Sequence, residues 1–268
     1  MAMARIDRKH PGCFVFLLDQ SQSMKDPIPG ASGSQKAQVL ADLINDLLLT
    51  VVSRCIKERD EPPRHYYDIG IIGYGSDVKP LLGGALTGRT LASVEEIAKA
   101  VVRTVDGSEG RRPVWFDPTS SGRTPMCAAL DVAGRTVAGW IHSHPDSFPP
   151  IVINISDGRS TDGDPAIWAE RLRSLATRNG RLLFFNICIS STGGSPVSFP
   201  SADADLPDEY GRMLFQMSSE LPEFMCRRAS ELGYSVTPGA RGFVYNADMQ
   251  AVVRALDVGT STDQMEDL

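Results

Sequence analysis

At 268 residues the chain is long for one domain and short for two, which points to one core with long loops. Its 42% hydrophobic content supports a globular core, and a net charge of −6 with no basic stripe argues against a general nucleic-acid binder. No apolar run approaches the roughly 18 residues of a membrane helix, and Met1–His10 is polar, so neither a membrane span nor a signal-peptide core is expected.

Phe14-Val15-Phe16-Leu17-Leu18 is uninterruptedly apolar and predicts a first strand buried on both faces, as in a parallel sheet. A Pro/Gly/Ser loop follows over Lys25–Gly33. From Gln35 to Glu58 the spacing predicts a long amphipathic helix with the stripe Leu40, Leu43, Ile44, Leu47, Leu48, Val51, Val52, Cys55 and Ile56, capped by Ser32 or Ser34. The charged run Lys57–Arg64, with Pro62 and Pro63, ends it. Tyr66–Tyr74 predicts a second strand that turns at Gly75-Ser76-Asp77 into Val78–Leu82, a hairpin at the sheet edge. A shorter helix is expected over Thr90–Val105, with Val94, Ile97, Ala98, Val101 and Val102 inward.

Asp106–Arg123 reads as a long loop carrying the apolar pair Trp115-Phe116; loops of that length in compact domains are usually functional or mobile. Thr124-Pro125 then opens a helix with the stripe Met126, Leu130, Ala133, Val137, Trp140 and Ile141. Ile151–Ile155 predicts a central strand ending at Ser156-Asp157-Gly158. A helix over Pro165–Asn179 closes at Gly180, and Arg181–Ile189 predicts another buried strand. Thr192–Pro207 is irregular, Arg212–Met217 reads as the last strand, and Pro222–Leu232 and Asp248–Leu256 read as helices before an acidic tail from Thr260. The alternation predicts an α/β fold: a doubly wound, Rossmann-like, mostly parallel sheet of about six strands, with one antiparallel edge strand and helices on both faces. Cys13, Cys55, Cys127, Cys188 and Cys226 are odd in number and scattered, which fits reduced thiols in a cytoplasm better than a disulfide framework.

In open α/β sheets the binding crevice lies beyond the carboxyl ends of the strands. Two expected central strands end there in Asp19 and Asp157. Ser21 and Ser23 follow Asp19 at alternate positions, and Thr124 stands at a loop-to-helix junction. Two carboxylates and three hydroxyls are hard oxygen donors suited to Mg²⁺. Hydroxyls are uncharged, so such a set under-neutralises a divalent ion and favours one more anionic oxygen from outside, such as a partner's Asp or Glu. Each residue also has a local reading: Ser21 and Ser23 as turn residues, Asp19 as a loop cap, Thr124 before Pro125 as a helix N-cap.

Asp19-x-Ser21-x-Ser23 after a hydrophobic strand, Thr124 in Gly122-Arg123-Thr124-Pro125-Met126, and Asp157 in Ile155-Ser156-Asp157-Gly158 together resemble the metal-ion-dependent adhesion site of von Willebrand factor A (vWA) domains. The resemblance spans residues 12–257 and leaves 1–11 and 258–268 as polar tails. Leu221-Pro222 through Gly239–Ala247 is similar to stand-alone bacterial members of the tellurium-resistance type, which are often encoded beside Ser/Thr kinases and PP2C-like phosphatases. The resemblance implies a non-catalytic, metal-dependent interaction module in stress or defence signalling. In it, Asp19, Ser21, Ser23, Thr124 and Asp157 would hold Mg²⁺ (or Mn²⁺) and a partner's carboxylate would fill the open position. Gln22, Met24 and Arg123 are the positions expected to face that partner. Gln22 and Arg123 each stand where the family usually has Gly, and the Arg123 guanidinium suits an acidic or phosphorylated group.

The same residues admit other readings. An aspartyl phosphotransferase of the haloacid-dehalogenase kind also places Asp after its first strand, but needs an acid two residues on, where Ser21 stands. A metal-independent interaction domain is the remaining alternative. Gly30–Lys36 lacks the G-K-[ST] ending of a phosphate loop. His142 and His144 have no third ligand nearby for zinc, and Asp157, Asp162 and Asp164 lack the EF-hand spacing.

Overall fold

The computed structural model describes residues 6–28, 33–58, 61–107, 110–189, 196–204 and 206–261. Strand β1 (Gly12–Asp19) is buried along its whole length, as an unbroken apolar run requires of a central parallel strand. Helix α1 (Lys36–Arg54) crosses to β2 (Tyr67–Tyr74), parallel to β1, and the chain doubles back as β3 (Val78–Pro80), an antiparallel edge. The short strand β4 (Ala92–Ser93) also pairs with β2 and leads into α2 (Val94–Lys99), after which β5 (Arg103–Gly107) and β6 (Gly110–Val114) form a separate hairpin. Helix α3 (Met126–Ser143) then carries the chain over β1 to β7 (Ile151–Ser156) on its other side. Next come α4 (Pro165–Ser174), a small hairpin of β8 (Ala176–Thr177) and β9 (Gly180–Arg181), β10 (Leu183–Ile189) and β11 (Val197–Ser198). Helices α5 (Glu209–Met217) and α6 (Glu223–Glu231), strand β12 (Phe243–Ala247) and helix α7 (Met249–Thr260) complete it.

The main sheet has the order β11-β12-β10-β7-β1-β2-β3, with β12, β10, β7, β1 and β2 parallel and an antiparallel strand at each edge. The winding direction reverses between β1 and β7, so a crevice opens where Asp19 and Asp157 end adjacent strands. The period-2 alternation of β1 divides the core in two. Phe14, Phe16 and Leu18 pack with α1, α2, α6 and α7. Val15 and Leu17, on the opposite face, pack with α3, α4 and α5.

Several elements differ from the sequence reading. The main sheet has eight strands, more than the expected six or so. Arg212–Met217 is not a strand but part of helix α5, capped by Asp208, whose carboxylate accepts from Gly211 N at 2.7 Å. Tyr210, Leu214, Phe215 and Met217 fall on one buried helical face, a spacing that a short apolar window does not separate from a strand. The last parallel strand is β12 instead. The helix expected over Thr90–Val105 stops at Lys99: Ser93 and Glu96 form a capping box that starts it, and Val101 and Val102 are exposed in the link to the β5–β6 hairpin.

Asp106–Arg123 is therefore not one loop. Trp115 and Phe116 beyond the hairpin are core residues, with Trp115 N donating to Asn45 Oδ1 at 2.8 Å and Trp115 Nε1 to Ile97 O at 2.6 Å. Helix α1 starts at Lys36 without a side-chain cap from Ser34, and Ser32 lies outside the described residues. Helix α4 ends at Ser174, before the expected Asn179. Parts of Lys25–Gly33 and Thr192–Pro207, and the tail beyond residue 261, also lie outside the described residues. Ile6 and Val258 belong to the core although both fall beyond the expected limits of 12–257.

Candidate metal centre

Asp19 leaves the end of β1 buried, one carboxylate oxygen accepting from Ser21 N at 2.8 Å and the other from Ser156 Oγ at 2.7 Å. The chain then makes a single turn of 3-10 helix over Gln22–Lys25. That turn brings Ser21 Oγ to 3.0 Å from Ser23 Oγ, and Ser23 Oγ donates to Asp157 Oδ1 at 2.6 Å. Residues 134 apart in the chain thus meet because β1 and β7 are neighbours ending at the same edge.

Thr124 reaches the same point by another route. Gln22 N donates to Gly122 O at 3.2 Å and Ser121 N to Gln20 O at 2.7 Å, so the loop before α3 is laced to the turn after β1. The approach is close enough to require glycine: a Cβ on Gly75 would lie 2.6 Å from both Gln20 O and Ser121 O, and Gly122 has φ +81°. Thr124 is buried, and the ideal Cβ position on Gly158 lies 3.7 Å from Thr124 Oγ1 and 4.0 Å from Ser23 Oγ. All five expected ligand positions therefore converge. Thr124 does not cap α3; Asp162 does, accepting from Cys127 N at 3.0 Å and Ala128 N at 2.9 Å.

The structure adds residues that the sequence reading missed. Lys36, the first residue of α1, has a fully buried side chain, and its Nζ lies 2.8 Å from Asp157 Oδ2, itself fully buried. A signal was present: positions 36, 40, 44 and 48 share one helical face, so Lys36 is a lone charge heading an apolar stripe. Ser156 orders Asp19, and Tyr210 Oη donates to Gly158 O. Beneath the site a polar chain links the strands: Tyr74 Oη to Asn154 Oδ1 at 2.7 Å, Asn154 Nδ2 to Asn186 Oδ1 at 3.0 Å, and Asn186 Nδ2 to Ser218 Oγ at 3.0 Å.

Of the positions expected to face a partner, Gln22 and Arg123 are exposed at the rim. Met24 is not: it is fully buried on the inner side of the 3-10 turn, packed in the α1 layer of the core, and presents nothing to a partner. An open groove lined by Arg159, Ser160, Asp164, Glu209, Tyr210 and Met213 runs beside Gly158. Asp164 caps α4 through Ala166 N at 2.9 Å. His144 stacks on Trp140 at a centroid distance of 4.8 Å, at the far end of α3.

The donor set fits a hard divalent cation. Burial pushes the Asp19 carboxyl up to about 6, against hydrogen bonds from Ser156 and Ser21 that favour its ionised form. The Asp157 charge pushes Asp19 the same way as burial, so a cation between the two carboxylates would relieve both; the Lys36 ammonium already sits on Asp157 Oδ2. Among the described residues no three His, Cys, Asp or Glu side chains gather as a metal-binding group. The set here has two carboxylates only, completed by hydroxyls. All five cysteines are free thiols, and among the described residues no helix is long and apolar enough to cross a membrane.

No protein-family model matches the chain, and no curated protein matches it. Among solved structures it is similar to the vWF domain of the type V pili tip protein Mfa5 from Porphyromonas gingivalis, at 16% identity over 57% of this chain and 39% of that one, with a TM-score of 0.33. It is also similar to a structure of three N-terminal domains of the same protein, at 16% identity over 56% of this chain and 20% of that one, with a TM-score of 0.32. The chain thus spans well under half the length of both.

Proposed function

We propose that this protein is a non-catalytic vWA-like interaction module that holds Mg²⁺ (or Mn²⁺) at the ends of β1 and β7 and, through it, an acidic group of a protein partner. The observation that carries this reading is the convergence of Asp19, Ser21, Ser23, Thr124 and Asp157, five oxygen-bearing side chains from three separated segments. When bound, the ion would supply a positive charge with a position open to a partner's carboxylate. The chain's own residues do the rest: Ser156 orients Asp19, the glycine-packed loop delivers Thr124, and Gln22 and Arg123 rim the opening. The resemblance of these motifs to a metal-ion-dependent adhesion site supports the same reading, and with it a kinase- or phosphatase-linked signalling partner in a reducing cytoplasm.

A haloacid-dehalogenase-type phosphotransferase needs an acid at position 21. Ser21 is there, with its hydroxyl on Ser23. The test is isothermal titration of Mg²⁺ and Mn²⁺ into EDTA-stripped protein, wild type against Asp19→Ala. Binding by the wild type that Asp19→Ala abolishes is expected. A mutant that binds as tightly as the wild type overturns the site. Partner capture unchanged by EDTA assigns a metal-independent domain, and phosphate release from p-nitrophenyl phosphate that Asp19→Ala abolishes assigns the phosphotransferase.

A further inference from the structure

Lys36 is unusual on two counts. Lysine is almost never fully buried unless paired, and a cation at the first position of a helix opposes the helix dipole. Its side chain is nevertheless fully buried, with Nζ 2.8 Å from Asp157 Oδ2. The other oxygen of that carboxylate is held by Ser23 Oγ at 2.6 Å, so Lys36 and the hydroxyl set share one anion. Two ionised carboxylates and one ammonium leave the cluster with a single net negative charge. A second cation brought to Asp157 meets a like charge at close range in a buried site, where repulsion is screened least.

We propose that Lys36 is a resident cation of this site, which neutralises Asp157 in the metal-free protein and must release it when a divalent ion binds. The inference rests on the metal reading above and assigns to that site a regulation of its own. Lys36 keeps affinity for the ion alone low, so that the added negative charge of a partner's carboxylate completes the occupancy. Because Lys36 is the first residue of α1, and its N–H donates to Asp26 O at 3.0 Å beside the Ser21–Lys25 turn, release of Asp157 is felt at the start of that helix.

The experiment is titration of Mg²⁺ and Mn²⁺ into EDTA-stripped wild type, Lys36→Gln and Lys36→Met. Glutamine preserves a donor to Asp157 without the charge. The expected result is tighter binding by both variants, by at least about tenfold for loss of one nearby like charge. Wild-type binding too weak to detect, with binding by the variants, gives the same support. Equal affinities in all three overturn the role of Lys36 while leaving the metal site standing. No binding by any of the three overturns the metal reading itself. Should the variants fail to fold, ¹⁵N-lysine NMR of the wild type decides: the Lys36 ammonium resonance shifts on saturation with Mg²⁺, and one that stays unmoved overturns the displacement.

Discussion

A buried carboxylate is tolerated where its charge is met, and the two aspartates of this site are met differently. Asp19 leans on hydrogen bonds from Ser21 and Ser156, whereas Asp157 has a hydroxyl and a full opposite charge. Truncating one member of a buried pair is costly because the survivor is left charged and dry. The same logic operates outside the candidate site. His65 Nε2 lies 2.7 Å from Asp68 Oδ1, while Trp140 Nε1 donates to Asp68 Oδ2 at 2.8 Å. The hydrogen bond with Asp68 raises the His65 pKa above 6.5, against partial burial and with help from Asp68, Glu95 and Glu96 charges. A raised folded-state value means that the stabilisation is fully present below the unfolded value and is lost as pH rises through the folded one. Urea unfolding of wild type and His65→Ala on either side of that window should show the wild-type advantage at the acid side only. An equal advantage at both pH values would contradict the ion pair.

At the scale of elements, the site is a meeting of ends, the end of β1, the end of β7 and the start of α3, each held by its own local chemistry. Asp162 anchors the last of these. Against partial burial, the N–H groups of Ala128 and Cys127 hold its carboxyl below the usual range. Thr124 and Thr161 are tied reciprocally, Thr161 N to Thr124 O at 2.9 Å and Thr124 N to Thr161 Oγ1 at 3.1 Å. Asp162→Ala should therefore cost about 1 kcal/mol, the usual price of a lost cap, and Asp162→Asn should restore most of it. Denaturant midpoints of the two variants check this, and an Asp162→Ala midpoint equal to wild type would mean that the start of α3 is held by packing alone. The run from Val101 to Val114 teaches a related lesson: α2 stops after six residues. Val101 and Val102, set inward by a continued helical count, are exposed beyond it.

Across the whole molecule, a cation that bridges β1, β7 and the α3 loop would tie together segments from both sides of the reversal in the sheet. Ligand binding to the folded state alone stabilises it by mass action, by about 2.7 kcal/mol at a hundredfold excess over Kd. Mg²⁺ should thus raise the melting temperature of EDTA-stripped wild type and leave Asp19→Ala unmoved. An equal rise in both would trace the effect to some other site.

Much of this was legible in one dimension. Phe14–Leu18 is apolar without a break, and Ile151–Ile155 and Leu182–Ile187 are each broken by a single asparagine, Asn154 and Asn186; hydrophobicity at both faces is enough to specify strands in the middle of a parallel sheet. Asp19, Ser21 and Ser23 are local too, since a strand that ends in an alternate-position turn delivers all three to one place. The short elements were not legible: Arg212–Met217 carries too few residues to tell a helical period from an extended one, and only packing against β10 and β12 chose between them. Nor was the side to which Met24 turns, because a single 3-10 turn has no period to read. Lys36 is the sharpest case. Local rules make it a solvated residue at a helix start, and its partner lies 121 positions away. The sequence by itself determined the buried strands β1, β7 and β10 and which residues stand at the ends of β1 and β7. Tertiary structure decided which of those ends meet, because burying a charge costs too much unless the fold brings its counter-charge across the sheet.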